Sequence, residues 1–220
     1  MENIEYYPTI DAPGTTRDDL PFAYQLRHPP SMTEDELLDE VRRSLPLDKL
    51  PRTLIPNAHL RWRPPTMHYG FDTTEAVVEE YAKAHNLSFY YPKEEPSDSL
   101  PSAAASGDGA EPSSDSTGGG VGAYSPSRTF YAVMRAVADE SQIRDARFIE
   151  NAQIASCLNS ASDPSGRGNR YVASLYTNYD LFSDEIFPLP RTEEIEKMRN
   201  ILRSTLPTGW YLEARSWRWQ

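Results

Sequence analysis

NRYVASLYTNYDLF, residues Asn169 to Phe182, reads as a central strand, and the rest of the chain is laid out around it. Tyr, Val, Leu, Thr and Phe fit a pleated, half-buried surface. Tyr171, Ala173, Leu175, Tyr179 and Leu181 share one parity and so one face. Arg170, Ser174, Asn178 and Asp180 take the other, together with Tyr176. The alternation predicts one face against a core and one face open to solvent or a partner.

Downstream, Thr192 to Leu206 carries Ile195, Met198, Leu202 and Leu206 at helical spacing. Gly209 to Trp219 follows as a last strand, with Trp210, Leu212 and Ala214 on the core face. Upstream, a helix from Ser127 to about Ala138 presents Phe130, Val133, Met134 and Val137. Residues 143–157 fit either a helix or a strand. A strand with a bulge at Glu150 supplies the antiparallel neighbour that Asn169–Phe182 needs. Leu87 to Tyr91 reads as a short strand. From residue 87 the order is therefore β, α, β, β, α, β. The predicted fold is α+β: an antiparallel sheet with helices on one face, a ferredoxin-like body over about residues 87–219 with an N-terminal helix and hairpin extension.

In that extension, Thr33 and Glu36 form a capping box for a helix running to about Leu45, with Leu37, Leu38, Val41 and Leu45 as its stripe. Residues 57–71 read as a hairpin turning at Arg63-Pro64-Pro65-Thr66. Two prolines there demand a wide loop or a cis bond. Asp72 is expected to cap the next helix, to about His85, with Glu75 as its partner. Residues 1–30 form a Pro-rich arm, and 93–127 form a Ser/Gly/Pro-rich insert that cannot bury enough apolar surface to order itself. Residues 31–92 and 128–220 then make one domain around that insert. Ser125-Pro126 is a candidate phosphorylation site.

The 220-residue chain has 38% hydrophobic residues, 19 prolines and a net charge of −11, which suits a folded body with irregular segments. Residues 1–124 hold 10 Lys and Arg against 21 Asp and Glu, whereas residues 125–220 hold 12 of each. Acidity on this scale opposes phosphate backbones and anionic lipid, which argues against nucleic-acid and membrane partners. Cys157 is the single cysteine, so no intrachain disulfide forms. The N-terminus lacks a basic and apolar leader. Together these features predict a cytoplasmic or nuclear protein.

No GxGxxG, P-loop, HExxH, GxSxG or CxxC pattern is present, so no catalytic residue, metal or cofactor is expected. Two surfaces remain. The first is a cationic hairpin face of His59, Arg61, Arg63 and His68, able to hold a phosphate or carboxylate unless Glu34 to Glu40, Glu94 or Glu95 neutralise it. Its arginines repel a metal cation. The second is the open sheet face, with Arg170, Tyr176, Asn178, Tyr211, Glu213, Arg215 and Trp217, whose aromatics interleaved with charges suit a ligand or an interface. The functional expectation is a binding or protein-interaction module for a protein partner or a small anionic ligand. The alternatives are a small-molecule enzyme or ligand-binding homodimer using the sheet face, and an RNA-binding domain of similar topology.

Overall fold

A computed structural model of the chain describes residues 16, 19–25, 31–56, 61–91, 123–144, 152–158, 170–182 and 189–220. They form four helices, α1 (Glu34–Arg43), α2 (Glu75–Ala84), α3 (Pro126–Glu140) and α4 (Thr192–Ile201). Four strands accompany them: β1 (Met67–Thr74), β2 (Gln153–Ser156), β3 (Arg170–Thr177) and β4 (Gly209–Leu212). The chain is α+β, and every strand pairing is antiparallel, in the order β2-β3-β1-β4.

The sheet starts earlier than the sequence pattern predicts. Met67–Thr74 is not the return arm of a hairpin but an inner strand, flanked by β3 and β4. Pro64 and Pro65 have no N–H to give a hairpin ladder. Their carbonyls are taken by side chains instead: Tyr179 Oη donates to Pro64 O at 2.8 Å and Asn178 Nδ2 to Pro65 O at 3.0 Å. No cis peptide occurs among the described residues. Residues 57–60, including His59, lie outside them. The Leu87–Tyr91 stretch does not enter the sheet. Tyr90 bridges Tyr124, while Tyr91 N–H donates to Ala123 O and Ser125 N–H to Phe89 O. The insert predicted for 93–127 falls largely outside the described residues. Ser125 itself is fully buried at the start of α3, which removes it as an accessible modification site.

One face of the sheet carries the main core. Met67 and Phe71 of β1, Ala173 and Leu175 of β3, and Trp210 and Leu212 of β4 pack beneath Val78, Val133, Met134, Val137 and Met198 of the helices. A bulge decides which side chains of β3 reach it. Tyr69 pairs with Tyr176 but Gly70 with Ser174, so Leu175 is the extra residue. The bulge turns Tyr176 to the core side, against the parity read from the sequence. A Cβ on Gly70 would run into the Ala173 carbonyl oxygen, so only glycine fits that crossing.

The other face is closed as well. Leu158 N–H donates to Leu212 O and Ala214 N–H to Ser156 O, both at 2.9 Å, and Cys157 bridges Glu213. The continuations of the two edge strands thus pair with each other and curl the sheet over Ala155, Cys157, Val172 and Tyr211. Leu47 covers the free edge of β4, exchanging bonds of 3.0 and 2.7 Å with Trp210. Asp72 does not cap α2. Thr74 does, accepting from Val77 N–H. The Asp72 carboxylate instead accepts from Ser204 Oγ, Thr205 N–H, Thr205 Oγ1 and Leu206 N–H at 2.6–2.9 Å, and so ties the α4–β4 loop to the sheet.

Helices α2, α3 and α4 share one ending. Asn86, Gln142 and Arg203 adopt positive φ of 57°, 67° and 51°. In each case the next residue donates back five positions: Leu87 to Ala82, Ile143 to Ala138 and Ser204 to Arg199. These are Schellman ends built without glycine. They explain why α4 stops at Ile201 and not at Leu206. Gln142→Gly should stabilise the fold by about 0.5–1 kcal/mol, because glycine adopts φ > 0 without the Cβ penalty. Chemical denaturation checks this, and a destabilised variant would show that the Gln142 side chain carries a compensating contact.

Candidate functional site

The stretch before β1 is held unusually firmly. Arg63 and Gln220 exchange backbone bonds of 2.7 and 3.0 Å, Thr66 N–H donates to Ser216 O, and Glu213 N–H donates to Thr66 O. From the other side, Asn178 accepts from Met67 N–H at 2.9 Å and donates to Leu54 O at 2.6 Å and to Pro65 O at 3.0 Å. Residues 63–67 are therefore pinned between the C-terminal segment and the end of β3. Arg61, Trp62 and Arg63 project from this support into solvent. The Arg61 guanidinium lies 5.7 Å from the Trp62 ring centroid, and Trp62 is 43% exposed. Tyr179 borders the same surface. Burial raises its phenol above the ordinary value, and the Arg63 charge opposes that rise.

No carboxylate among the described residues pairs with Arg61, Arg63 or Arg215. Four of the five acids of α1 are committed elsewhere: Glu34 to Arg218 at 2.9 Å, Glu36 to the Thr33 cap, Asp39 to Arg42 and Glu40 to Arg43. Glu94 and Glu95 lie outside the described residues, as does His59. Two guanidinium groups thus remain open on a supported backbone beside two exposed aromatic rings, an arrangement able to take a carboxylate or phosphate by forked hydrogen bonds. Comparison with known protein families, with curated proteins and with solved structures finds no match.

His68 does not belong to that surface. It is buried on the curled face of the sheet, paired with Tyr211 across β4, with Nδ1 2.9 Å from Ser174 Oγ and no partner for Nε2 among the described residues. Burial holds its imidazole down to about 4, from an ordinary 6.5. The unfolded chain therefore takes up this proton at higher pH than the folded chain does. Stability is full above about pH 7, falls as pH drops from 6.5 towards 4, and levels off below. The total loss is about 3 kcal/mol, of which about 2 kcal/mol arises between pH 7 and 5. Urea unfolding at those two pH values should show this loss, and His68→Asn should remove that part of it. An unchanged pH dependence in the variant would assign the effect to other groups.

The expected open sheet face is not open. Tyr176, Asn178 and Tyr211 are fully buried and Trp217 is 9% exposed. Tyr176 packs in the helix-side core, 5.0 Å from Tyr69 and 5.3 Å from Trp210. Asn178 pins three segments. Tyr211 Oη donates to Pro207 O at 2.9 Å, and burial, followed by the Asp72 charge, raises its phenol. Trp217 joins the core under Arg218, whose guanidinium lies 4.5 Å from its ring. Glu213 is half-buried and Arg215 exposed, while Arg170 is placed only as the first residue of β3. The physical reason is the curl, because a sheet whose edges meet leaves no flat platform. Cys157 is buried on the same face and its thiol is pushed up, chiefly by burial and then by Glu213, which holds it as the un-nucleophilic neutral form. No cluster of His, Cys, Asp and Glu suited to a metal occurs among the described residues. Likewise, no helix among them is long and apolar enough to cross a membrane.

Proposed function

We propose that this chain is a binding module that engages an anionic group of a partner, a carboxylate or a phosphate, through Arg61 and Arg63, with Trp62 and Tyr179 as stacking surface. One observation carries the reading. In a chain of net charge −11, these two arginines are exposed, unpaired with any described carboxylate, and set on a backbone anchored by Gln220, Tyr179 and Asn178. A preorganised fork loses less freedom on binding than a cation on a loose loop. The fold supports the same reading. We read the strand order, with the passage β1, two helices, β2, β3, helix, β4, as a ferredoxin-like unit that would begin at Met67 rather than at residue 87. In that scaffold the closed sheet leaves recognition to the flanks. The protein partner or small anionic ligand expected from the sequence would dock there.

The test is titration of the full chain with a fluorescent hexaglutamate peptide and, separately, with inorganic pyrophosphate. Binding of either probe should weaken with rising salt, and the Arg61→Ala/Arg63→Ala variant should bind at least about tenfold more weakly. Equal binding by the variant, or no binding of either probe at low salt, sinks the proposal.

A further inference from the structure

A second surface, remote in sequence from the first, carries four of the chain's exposed aromatics. Phe89, Tyr90, Tyr91 and Tyr131 are 44%, 47%, 46% and 45% exposed. The short pairing of 89–91 with 123–125 sets the first three beside α3, where Phe89 N–H donates to Thr129 Oγ1 at 3.0 Å. On α3, Arg128, Tyr131 and Arg135 fall at i, i+3 and i+7, off the apolar stripe of Phe130, Val133, Met134 and Val137. The Arg128 guanidinium lies 5.6 Å from the Tyr91 ring centroid, and that of Arg135 lies 5.9 Å from Tyr131. Cations and phenol rings therefore alternate along one ridge. No carboxylate among the described residues forms an ion pair with either arginine. Of the neighbouring acids, Glu140 accepts from Tyr81 Oη at 2.9 Å and Glu79 pairs with Lys83 at 3.4 Å, while Asp139 follows Arg135 by one turn without forming an ion pair with it.

We propose that this ridge docks a proline-containing acidic segment of a partner protein, in the polyproline II conformation, with carboxylates at positions i and i+3. Arg128 and Arg135 stand two helical turns apart, about 10.5 Å along the axis. A polyproline II strand brings every third side chain back to the same side, at a spacing of about 9.3 Å. The two carboxylates of such a segment meet the two guanidinium groups, and the residues between them lie on Tyr131 and Tyr91. An extended β-strand fits less well, since its i and i+3 side chains point to opposite sides. Aromatic-lined surfaces are the general docking mode for polyproline II ligands. Here the two arginines select an acidic ligand. The ridge is separate from the Arg61 surface, and failure at one site leaves the other standing.

The experiment is fluorescence anisotropy with the full chain and labelled peptides. The probe is a Pro-rich dodecapeptide containing Glu-Pro-Pro-Glu. The controls replace both Glu by Lys, or set the two Glu adjacent. Saturable, salt-sensitive binding of the probe is expected, with at least about tenfold weaker binding of both controls and of the probe to Arg128→Glu/Arg135→Glu. Tyr131→Ala, an exposed change, should weaken binding severalfold with an unaltered melting temperature. Since the peptide controls leave the protein untouched, a misfolded variant does not blur the outcome. Equal binding of the adjacent-Glu peptide, binding undiminished in the charge-reversed variant, or no binding at low salt overturns the proposal. Loss of binding in Arg61→Ala/Arg63→Ala with Arg128 and Arg135 intact also overturns it, by moving the peptide to the other surface.

Discussion

Asn178→Ala should cost about 3–6 kcal/mol and leave little folded protein at 37 °C. Asn178 is fully buried, and its amide serves three separate segments: Met67 N–H at the start of β1, Leu54 O at the end of a 3-10 turn, and Pro65 O. Truncation strands one buried donor and two buried acceptors, each worth about 1–3 kcal/mol when left unpaired. The Leu54 and Pro65 carbonyls both take their bond from the same Asn178 amide nitrogen, so the truncation deprives both at once. Asn178→Asp tests the same node differently. It keeps the acceptor for Met67 N–H but loses the donors to Leu54 and Pro65, so it should be nearly as damaging. Urea unfolding measures both. A loss below about 1 kcal/mol for the alanine variant would show that residues 63–67 are not held by this side chain, and the anchored surface around Arg61 and Arg63 would lose its support.

Asn178 also shows why the sequence was informative about elements and poor at placing them. Helical stripes are local and were legible: Phe130, Val133, Met134 and Val137 are buried as their spacing predicts, and the Thr33–Glu36 box closes α1 with Glu36 accepting from Thr33 N–H at 2.8 Å. The Tyr171–Leu175 strand was legible for the same reason. Pairing across more than a hundred residues leaves no local mark, so the union of 63–66 with 213–220 was invisible. Alternation also misled where both faces of the sheet are covered. His68, Asp72 and Ser174 look solvent-facing by type, yet they lie buried on the curled side, where Ser174 meets His68 and Asp72 holds the α4–β4 loop. One extra residue at Leu175 was enough to move Tyr176 to the opposite face. Helix ends without glycine, at Gln142 and Arg203, gave no stop signal. Of the candidate site residues, Arg61 and Arg63 emerge on one exposed surface. The aromatic ridge on α3 was readable from the Arg128, Tyr131, Arg135 spacing, which sits off the apolar stripe.

Trp210→Ala should remove about 3–5 kcal/mol, the range for deleting a buried aromatic and leaving a cavity. The ring is fully buried in a three-strand aromatic cluster, 5.3 Å from both Tyr69 and Tyr176, with Tyr176 edge-on. Tyr69 stands between the other two in register, so all three rings rely on the same two pairings, β1 with β4 and β1 with β3. The cavity would open beneath the bond pair that Trp210 shares with Leu47, on the outer edge of β4. Trp217→Ala makes the informative contrast. Its ring joins the core from the rim, beneath the Arg218 guanidinium, and its loss should cost less, about 1–3 kcal/mol. Trp217 is thus a packing residue and not an open docking surface. Its variant should lose stability while leaving hexaglutamate binding at Arg61 and Arg63 within a factor of about three at temperatures where it remains folded. Urea melts of the two tryptophan variants, compared at equal m-values, separate these outcomes. Small and equal losses would make β4 peripheral, and the order β2-β3-β1-β4, with the buried face that it closes, would fall.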